Sequence, residues 1–376
     1  MTRVILGLIL VVLASYSLTA LVRFYTIKKN ILDIPNERSS HSIVTPRGGG
    51  LAIVATFIFA LVFIAAFGIV SVNVAAALVG GGLMIAAIGW IDDKNSVSPC
   101  LRLAVHFLAA IWALYCLGGF TRMDMGFITI HLGWAGSVIA AVGIVWLINL
   151  YNFMDGIDGI AGTEAISVAL GAGVLLFWTG SAGLAWVCII LALAVGGFLV
   201  WNWPPARIFM GDVGSGFLGY IFAVLAIISE KSSSILLIVW LMLLGVFITD
   251  ATITLFRRMA RGKKLSQPHR THVYQLAVQA GYSHKQVTLV LLFINILLGM
   301  AAIAAVQYRG YLLWIALGAF MLLTMVYFIL AHRFSSKLIA DYEAGRVVLN
   351  HLDVVAGQKE AAAVSDNYSG DRHRTY

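Results

Sequence analysis

The sequence predicts an all-α polytopic membrane protein with about 11 transmembrane helices, the N-terminus outside and the C-terminus in the cytoplasm. Composition is the first observation. Of 376 residues, 61% are hydrophobic and 11% are charged, whereas soluble globular domains carry about 25% charged residues. The spacing of the apolar runs and the placement of lysine and arginine between them are the other two observations. Helices are the expected spanning form, because each satisfies its own backbone hydrogen bonds.

Eleven apolar stretches are long enough to cross a bilayer, which takes about 20 residues. The connections between them are short, apart from those at 24–49 and 257–286. We therefore expect a single integral membrane domain over 1–331 and, where the composition turns polar, a cytoplasmic, largely disordered tail over 332–376. The predicted spans are 4–23, 50–70, 73–91, 101–118, 132–150, 160–179, 182–200, 213–229, 234–256, 287–307 and 311–331.

The basic residues predict the orientation. With the N-terminus outside, 21 of the 25 lysines and arginines fall in the inner loops and the tail, as the positive-inside rule requires. The same loops account for the net charge of +8. We therefore expect an anionic lipid or an anionic substrate as the partner, and no nucleic acid.

Four polar motifs fall on the predicted inner side, each directly after a span. The outer loops are short and contain no comparable cluster. The occurrence of all four clusters on one side is hard to assign to chance, so the sequence places the chemistry on one face. The motifs are "GWIDDKNSVSP", "NLYNFMDGIDG", "NWPPARIFMGDVGSG" and "RRMARGKKLSQPHRTHVYQ".

These motifs contain the parts of a phosphoryl-transfer site. If their five aspartates converge, mutual repulsion requires a bound cation or added protons. Oxygen ligands suit a hard ion such as Mg²⁺, which commonly takes one or two carboxylates together with phosphate oxygens. The basic loop supplies charge for anions, and the planar fork of Arg270 suits phosphate. Phosphoryl transfer depends on positioning and charge neutralisation of this kind. The aspartates are Asp92, Asp93, Asp155, Asp158 and Asp212.

The ordered motifs resemble those of the polyprenyl-phosphate N-acetylhexosamine-1-phosphate transferase superfamily, which includes the MraY, WecA and WbpL types. The resemblance runs from about residue 33 to residue 281. It is carried by "DD" at 92–93, "NFMDGIDG" at 152–159, "FMGDVGSG" at 209–216 and "HRTHVYQLAVQAG" at 269–281.

The resemblance implies a reaction and a location. A UDP-activated N-acetyl amino sugar gives its sugar 1-phosphate to a polyprenyl phosphate, with release of UMP and a requirement for Mg²⁺ or, as an alternative, Mn²⁺. The 1–331 domain is then the catalytic domain, in the bacterial inner (cytoplasmic) membrane with its active site on the cytoplasmic face. Whether the protein forms a homodimer is left open.

The resemblance also implies roles for individual residues. Asp212 corresponds to the principal metal ligand and Asn152 to a second oxygen donor. Asp92 corresponds to the group that activates the lipid phosphate, with Asp93 beside it, and His272 to a histidine that contacts the diphosphate. The expected catalytic residues are Asp92, Asp93 and His272, and the expected substrate-binding residues are Asp155, Asp158, Arg270, Arg102 and His269.

Departures from the family pattern favour one branch of the superfamily. Ser96 stands where DDxxD would have a third aspartate, and Tyr274 and Gln275 replace the later histidines of H-x-H-H. The turn from Pro46 to Gly49 is kept, but Ser42 stands where the peptidoglycan (MraY) branch tends to carry lysine. These features resemble the WbpL-like branch, which handles 6-deoxy amino sugars such as N-acetylfucosamine or N-acetylquinovosamine. An MraY-type transferase is the alternative.

A transporter for lipid-linked sugars is the alternative from another class of protein. It would place its polar groups near the bilayer midplane, whereas the motifs here lie at one edge. Two acids, Glu164 and Asp250, fall inside predicted spans. We expect a structural role for both, with Asp250 either paired with Arg257 or Arg258 or facing the same cavity as these arginines.

Overall fold

The computed structural model describes residues 2–35, 43–232, 234–263 and 269–344, and these residues form a bundle of α-helices with two short β-hairpins. The strands are β1 (Leu32–Asp33) paired with β2 (Thr45–Pro46), and β3 (Arg122–Asp124) paired with β4 (Thr129–His131). The helices are α1 (Thr2–Lys28), α2 (Gly50–Ala66), α3 (Val72–Lys94), α4 (Pro99–Leu117), α5 (Gly133–Met154), α6 (Ile160–Trp178), α7 (Ala182–Asn202), α8 (Asp212–Lys231), α9 (Leu237–Leu243), α10 (Gly245–Ala260), α11 (Val273–Gln279), α12 (His284–Gln307) and α13 (Leu312–Glu343).

Each of the eleven predicted spans has a helical counterpart. Among the described residues, nine helices are long and apolar enough to cross a bilayer by themselves. The pair α9 and α10 makes a tenth candidate, bent by 82° at its break, and α2 is apolar but has only 17 residues. The prediction of an all-α polytopic membrane protein is confirmed.

Two predicted boundaries are wrong. The stretch 234–256 is not one straight helix, because the chain breaks at Leu244 between α9 and α10. The last helix continues to Glu343, so residues 332–343 of the predicted tail are helical. Phe334 and Leu338 on this extension pack against α11, which explains why a largely polar stretch stays helical. The rest of the predicted tail, 345–376, lies outside the described residues.

Helix α8 occupies the centre of the bundle. Every residue from Val213 to Glu230 is buried. Glycines let its neighbours approach closely: a Cβ on Gly50 of α2 would lie 2.3 Å from the Cα of Gly214, and a Cβ on Gly219 would lie 2.6 Å from the Leu147 carbonyl of α5. Small residues commonly permit such backbone approach in membrane bundles. The N-terminus of α8 is thereby held against its neighbours.

The two ends of α8 differ in chemistry. At its C-terminal end, the Glu230 carboxylate accepts hydrogen bonds from the backbone N–H groups of Asp124 and Leu237, each at 2.6 Å. These contacts tie the β3–β4 hairpin and α9 to the bundle. At the N-terminal end, beside Asp212, the acidic motifs meet.

Candidate active site

An arginine joins two acidic motifs at the N-terminus of α8. Asp92 lies at the C-terminal end of α3, and Asp212 is the first residue of α8. The guanidinium of Arg102 on α4 lies 2.5 Å from the Asp92 carboxylate and 3.4 Å from that of Asp212. The backbone N–H of Val97 donates a second hydrogen bond to Asp92 at 2.6 Å. Two carboxylates from distant parts of the chain thus share one cation.

Asp93 caps helix α8 from outside that helix. Its carboxylate accepts hydrogen bonds from the backbone N–H groups of Asp212 at 3.0 Å and Val213 at 3.2 Å, and the residue is 2% exposed. A carboxylate at a helix N-terminus satisfies otherwise unpaired donors and complements the helix dipole. Gly211 is needed here, because a Cβ at this position would lie 2.4 Å from the Asp93 carboxylate. These contacts give Asp93 a structural task, and a catalytic task for it stays a prediction.

The Pro46–Gly49 turn braces the same corner. The N–H of Gly49 donates to the Phe209 carbonyl at 2.9 Å, and the N–H of Phe209 donates to the Pro46 carbonyl at 2.8 Å. The Arg47 guanidinium donates to the backbone carbonyl of Asp93 at 2.9 Å. This turn therefore positions both the "DD" motif and the "FMGD" motif.

The "NFMDGIDG" motif supplies a third side of the site. The Asn152 amide donates to the Ser215 hydroxyl of α8 at 3.0 Å and lies within hydrogen-bonding reach of the Asp212 carboxylate. The two predicted metal donors are therefore brought together. Asp155 directly follows α5. Burial, reinforced by the negative charges of Asp212, Asp93 and Asp158, raises the pKa of Asp155 to about 8.

Asp158 holds a neighbouring loop and α12. Its carboxylate accepts a hydrogen bond from the Ala206 N–H at 3.0 Å and lies 3.3 Å from Nδ1 of His284. Its backbone carbonyl accepts from the Thr288 hydroxyl at 3.1 Å. Asp158 is therefore fixed beside the acidic residues by protein contacts, and nucleotide binding by this side chain stays a prediction.

The histidine loop (residues 269–275) docks onto this motif. The hydroxyl of Tyr274 donates to the backbone carbonyl of Phe153 at 3.0 Å. Gly156 makes room for this hydroxyl, since a Cβ there would lie 2.1 Å from it. His272 is 2% exposed, and its Nδ1 lies 3.3 Å from the Asp250 carboxylate. The predicted diphosphate-binding loop is therefore adjacent to the acidic motifs.

His269 and Arg270 lie beside His272 in the same loop. The rings of His269 and His272 have centroids 5.0 Å apart, and Nδ1 of His269 lies 3.0 Å from the Thr271 hydroxyl. Arg270 is half-buried, and this burial lowers the pKa of its guanidinium from the usual range. The loop thus gathers nitrogen donors of the kind that neutralise phosphate oxygens.

The donor set fits a hard divalent cation. Asp212 and Asn152 offer one carboxylate and one amide, and the negative charges of Asp212, Asp93 and Asp158 add to the effect of burial in raising the pKa of Asp155. Within the ranges that the structure describes, no group of three His, Cys, Asp or Glu side chains is arranged to hold a metal. Mg²⁺ usually takes one or two carboxylates and completes its shell with water and phosphate oxygens, so this small donor set suits it.

Sequence reasoning missed several residues that shape the site. Ser215 and His284 contact Asn152 and Asp158, and Arg47 holds the backbone of Asp93. The expected partner of Asp250 was also wrong, because Asp250 contacts the histidine loop, whereas Arg257 donates to the Tyr327 hydroxyl at 3.2 Å. Arg47 stands in the recognised Pro-x-Gly-Gly turn, which was a usable signal. Ser215 stands in the "FMGDVGSG" motif, which was a usable signal as well, whereas His284 carried none.

Comparison with known proteins supports the resemblance. Residues 75–230 match the glycosyl transferase family 4. The chain is 28% identical over 326 residues to the "Probable undecaprenyl-phosphate N-acetylglucosaminyl 1-phosphate transferase" of Bacillus subtilis (strain 168), covering 84% of this chain and 88% of that protein. It is 26% identical over 335 residues to the "Undecaprenyl-phosphate alpha-N-acetylglucosaminyl 1-phosphate transferase" of Yersinia pestis, covering 85% and 89%.

The chain is similar to members of the polyprenyl-phosphate N-acetylhexosamine-1-phosphate transferase superfamily, and the family match and these relatives support that assignment. A protein of the same name as the Yersinia pestis relative, from Escherichia coli (strain K12), is 25% identical over 313 residues, covering 80% of this chain and 83% of that protein. The matched residues 75–230 include the acidic motifs. Asp92, Asp93, Arg102 and Asn152, which meet around Asp212, therefore lie within the part of the chain that matches the family.

Proposed function

We propose that the protein transfers an N-acetylated amino-sugar 1-phosphate from a UDP-sugar to undecaprenyl phosphate and releases UMP. The observation that carries this proposal is the Asp92–Arg102–Asp212 arrangement, with Asn152 and the histidine loop beside it. This arrangement brings together Asp92, a carboxylate that can act on an acceptor phosphate, and the proposed metal ligands Asp212 and Asn152. The histidine loop adds cationic donors beside them. The names of the relatives agree with this reaction. The product starts O-antigen or a related cell-envelope polysaccharide.

The proposed reaction is an in-line displacement at phosphorus. An oxygen of the lipid phosphate attacks the β-phosphorus of the UDP-sugar, a new P–O bond forms, and the bond to the UMP oxygen breaks. Asp92 accepts the remaining proton of the lipid phosphate. Little base strength is needed, because the second pKa of a phosphate monoester is about 6. Arg102 holds Asp92 in place and adds positive charge where phosphate oxygens approach.

Asp212 and Asn152 would hold Mg²⁺. When bound, the ion supplies charge neutralisation for the diphosphate and for the departing UMP. His272, His269 and Arg270 would donate hydrogen bonds to phosphate oxygens from the opposite side. Asp155, and beside it Asp158, would border the nucleotide.

A covalent route through an aspartyl phosphate is the competing mechanism. Both carboxylate oxygens of Asp92 are engaged, one by Arg102 and one by the Val97 N–H, and this favours the direct route. Release of one equivalent of UMP in the absence of lipid acceptor would support the covalent route. No UMP without acceptor is the result expected for direct attack.

The site is proposed to face the cytoplasm, where nucleotide sugars are made available. The bias of lysine and arginine supports this orientation. A transporter is disfavoured because the acidic residues meet at the end of α8 and not at its middle.

The donor sugar is tested directly with membranes that contain the protein, supplied with labelled UDP-GlcNAc, UDP-FucNAc or UDP-QuiNAc. We expect a lipid-soluble product with an equal amount of UMP, dependent on Mg²⁺. The relatives are named for N-acetylglucosamine, whereas the sequence features favour a 6-deoxy amino sugar, so the preferred donor distinguishes the two. UDP-MurNAc-pentapeptide as the preferred donor would instead identify the MraY type. No product with any of these donors would overturn the proposal.

A further inference from the structure

Asp250 is a buried carboxylate of α10 that the proposed reaction does not use. It is 7% exposed, and four donors surround it. Oδ1 lies 3.0 Å from the Val273 N–H, 3.1 Å from the Thr254 hydroxyl and 3.3 Å from Nδ1 of His272. Oδ2 lies 3.3 Å from the Tyr274 N–H. A buried carboxylate in a membrane bundle needs such a set of donors to be tolerated.

These contacts fix the chemical form of His272. An ionised carboxylate only accepts hydrogen bonds, so His272 must carry a proton on Nδ1. Its Nε2 is then the ring nitrogen left for a ligand, and it donates to a phosphate oxygen in the imidazolium form, in which both ring nitrogens carry protons. An imidazole whose one nitrogen is held by a carboxylate keeps both its tautomer and its ring orientation.

The same carboxylate fixes the backbone of the loop. Val273 and Tyr274 are the first residues of α11, and Asp250 accepts from both of their N–H groups. Tyr274 in turn reaches the Phe153 carbonyl with its hydroxyl. Asp250 therefore links α10 to the histidine loop directly, and through Tyr274 it links α10 to the "NFMDGIDG" motif.

We propose that Asp250 is a positioning residue for the transfer reaction: it holds His272 with Nε2 available to the phosphates and anchors the histidine loop against the acidic motif. This inference rests on the proposed function, because His272 has a task only if phosphates are bound. Asp250 itself touches no substrate. Its effect on the rate therefore passes through His272.

The test is a double-mutant cycle in purified full-length protein, with kcat/KM for the nucleotide sugar as the readout. Asp250→Asn keeps the shape of the side chain but places an NH₂ group, which can only donate, against one or more of the four groups that donate to the carboxylate. We expect a loss of about 10- to 100-fold, the range seen when the orienting partner of a functional histidine is removed. In a His272→Gln background the same substitution should change kcat/KM by less than about twofold, because non-additivity is the signature of residues that act as a unit. Asp250→Glu, which restores the acceptor, should recover part of the activity.

A matched control is Tyr327→Phe. The Tyr327 hydroxyl contacts the Thr254 hydroxyl, which in turn contacts Asp250, so Tyr327 does not touch the histidine loop through this contact. The kcat/KM of this variant should stay within about twofold of wild type. If Asp250→Asn does not fold, as judged by thermal unfolding in detergent, the cycle is run with Asp250→Glu.

Equal fold-losses from Asp250→Asn with and without His272 would show a merely structural role and overturn the inference, as would full activity of either single variant. An inactive wild-type protein would instead count against the proposed function. The two failures are therefore distinguishable.

Discussion

Removal of the Asp93 carboxylate should destabilise the protein more than it disturbs the chemistry. Asp93→Ala takes away the acceptor of two backbone N–H groups, at 3.0 and 3.2 Å, in a residue that is 2% exposed. A hydrogen bond to a charged group contributes about 1.5–3 kcal/mol. Because the two bonds share one carboxylate, we expect a loss of about 3 kcal/mol in the free energy of unfolding. That loss is about a 150-fold change in the folding equilibrium at 1.4 kcal/mol per factor of ten.

Equilibrium unfolding by SDS in mixed micelles, followed by tryptophan fluorescence, measures this loss. The matched control is Ser71→Ala at the N-terminal end of α3, where an exposed serine caps one N–H at 3.3 Å. It should cost about 0.5–1 kcal/mol. If Asp93→Ala unfolded like wild type yet lost transfer activity by more than about 100-fold, Asp93 would be a catalytic group and its assignment as a helix cap would be wrong.

Four further outcomes are expected. Gly89→Ala would place a Cβ 2.6 Å from backbone atoms at the start of α8. In the SDS titration this variant should lose about 1–3 kcal/mol in the free energy of unfolding. The control Gly143→Ala, which has open space around it, should change that free energy little. Arg102→Met removes the one nitrogen that contacts both the Asp92 and the Asp212 carboxylate, so initial rates of product formation should fall about 100-fold. In metal-free detergent, burial favours the protonated form of Asp155, whose pKa is raised from 3.8 to about 8. Wild type should therefore lose thermal stability relative to Asp155→Asn as the pH rises from about 4 to about 8. EDTA should abolish transfer by the wild-type protein, and added Mg²⁺ should restore it. If Asp212→Asn retains some activity, its half-maximal rate should require a higher Mg²⁺ concentration than that of wild type.

Each of these outcomes has a contrary result. Equal stability of the two glycine variants would mean that the contact between α3 and α8 is loose. Normal rates for Arg102→Met would remove the bridge from the mechanism. A stability difference between wild type and Asp155→Asn that did not vary with pH would exclude the buried carboxyl as its cause. Full activity in EDTA would remove the metal.

Hydrophobic length predicted the helices well, because a lipid-facing helix must be apolar over its whole span. The same criterion could not locate the break at Leu244 or the end of α13. Both depend on packing: Phe334 and Leu338 are buried only because α11 lies against them. The short α11 and the two hairpins are too small to carry a hydropathy signal.

The sequence predicts which motifs meet in the candidate site, because loops that follow alternate transmembrane helices lie on the same face of the membrane. Their individual tasks were not predictable. Asp92 and Asp93 are neighbours in sequence, yet one faces Arg102 and the other caps α8. Adjacent residues on a helix point in different directions, and which neighbour each one meets depends on where α4 and α8 lie.

The most direct test of the central claim uses sealed membrane vesicles of opposite orientation. Inverted vesicles expose the predicted cytoplasmic face to added labelled UDP-sugar, which does not cross the bilayer, and right-side-out vesicles do not. We expect lipid-linked sugar and UMP in the inverted vesicles alone, and neither product when Asp212→Asn replaces wild type. Product in right-side-out vesicles, or an Asp212→Asn variant as active as wild type, would contradict a single site built around Asp212 at the inner face.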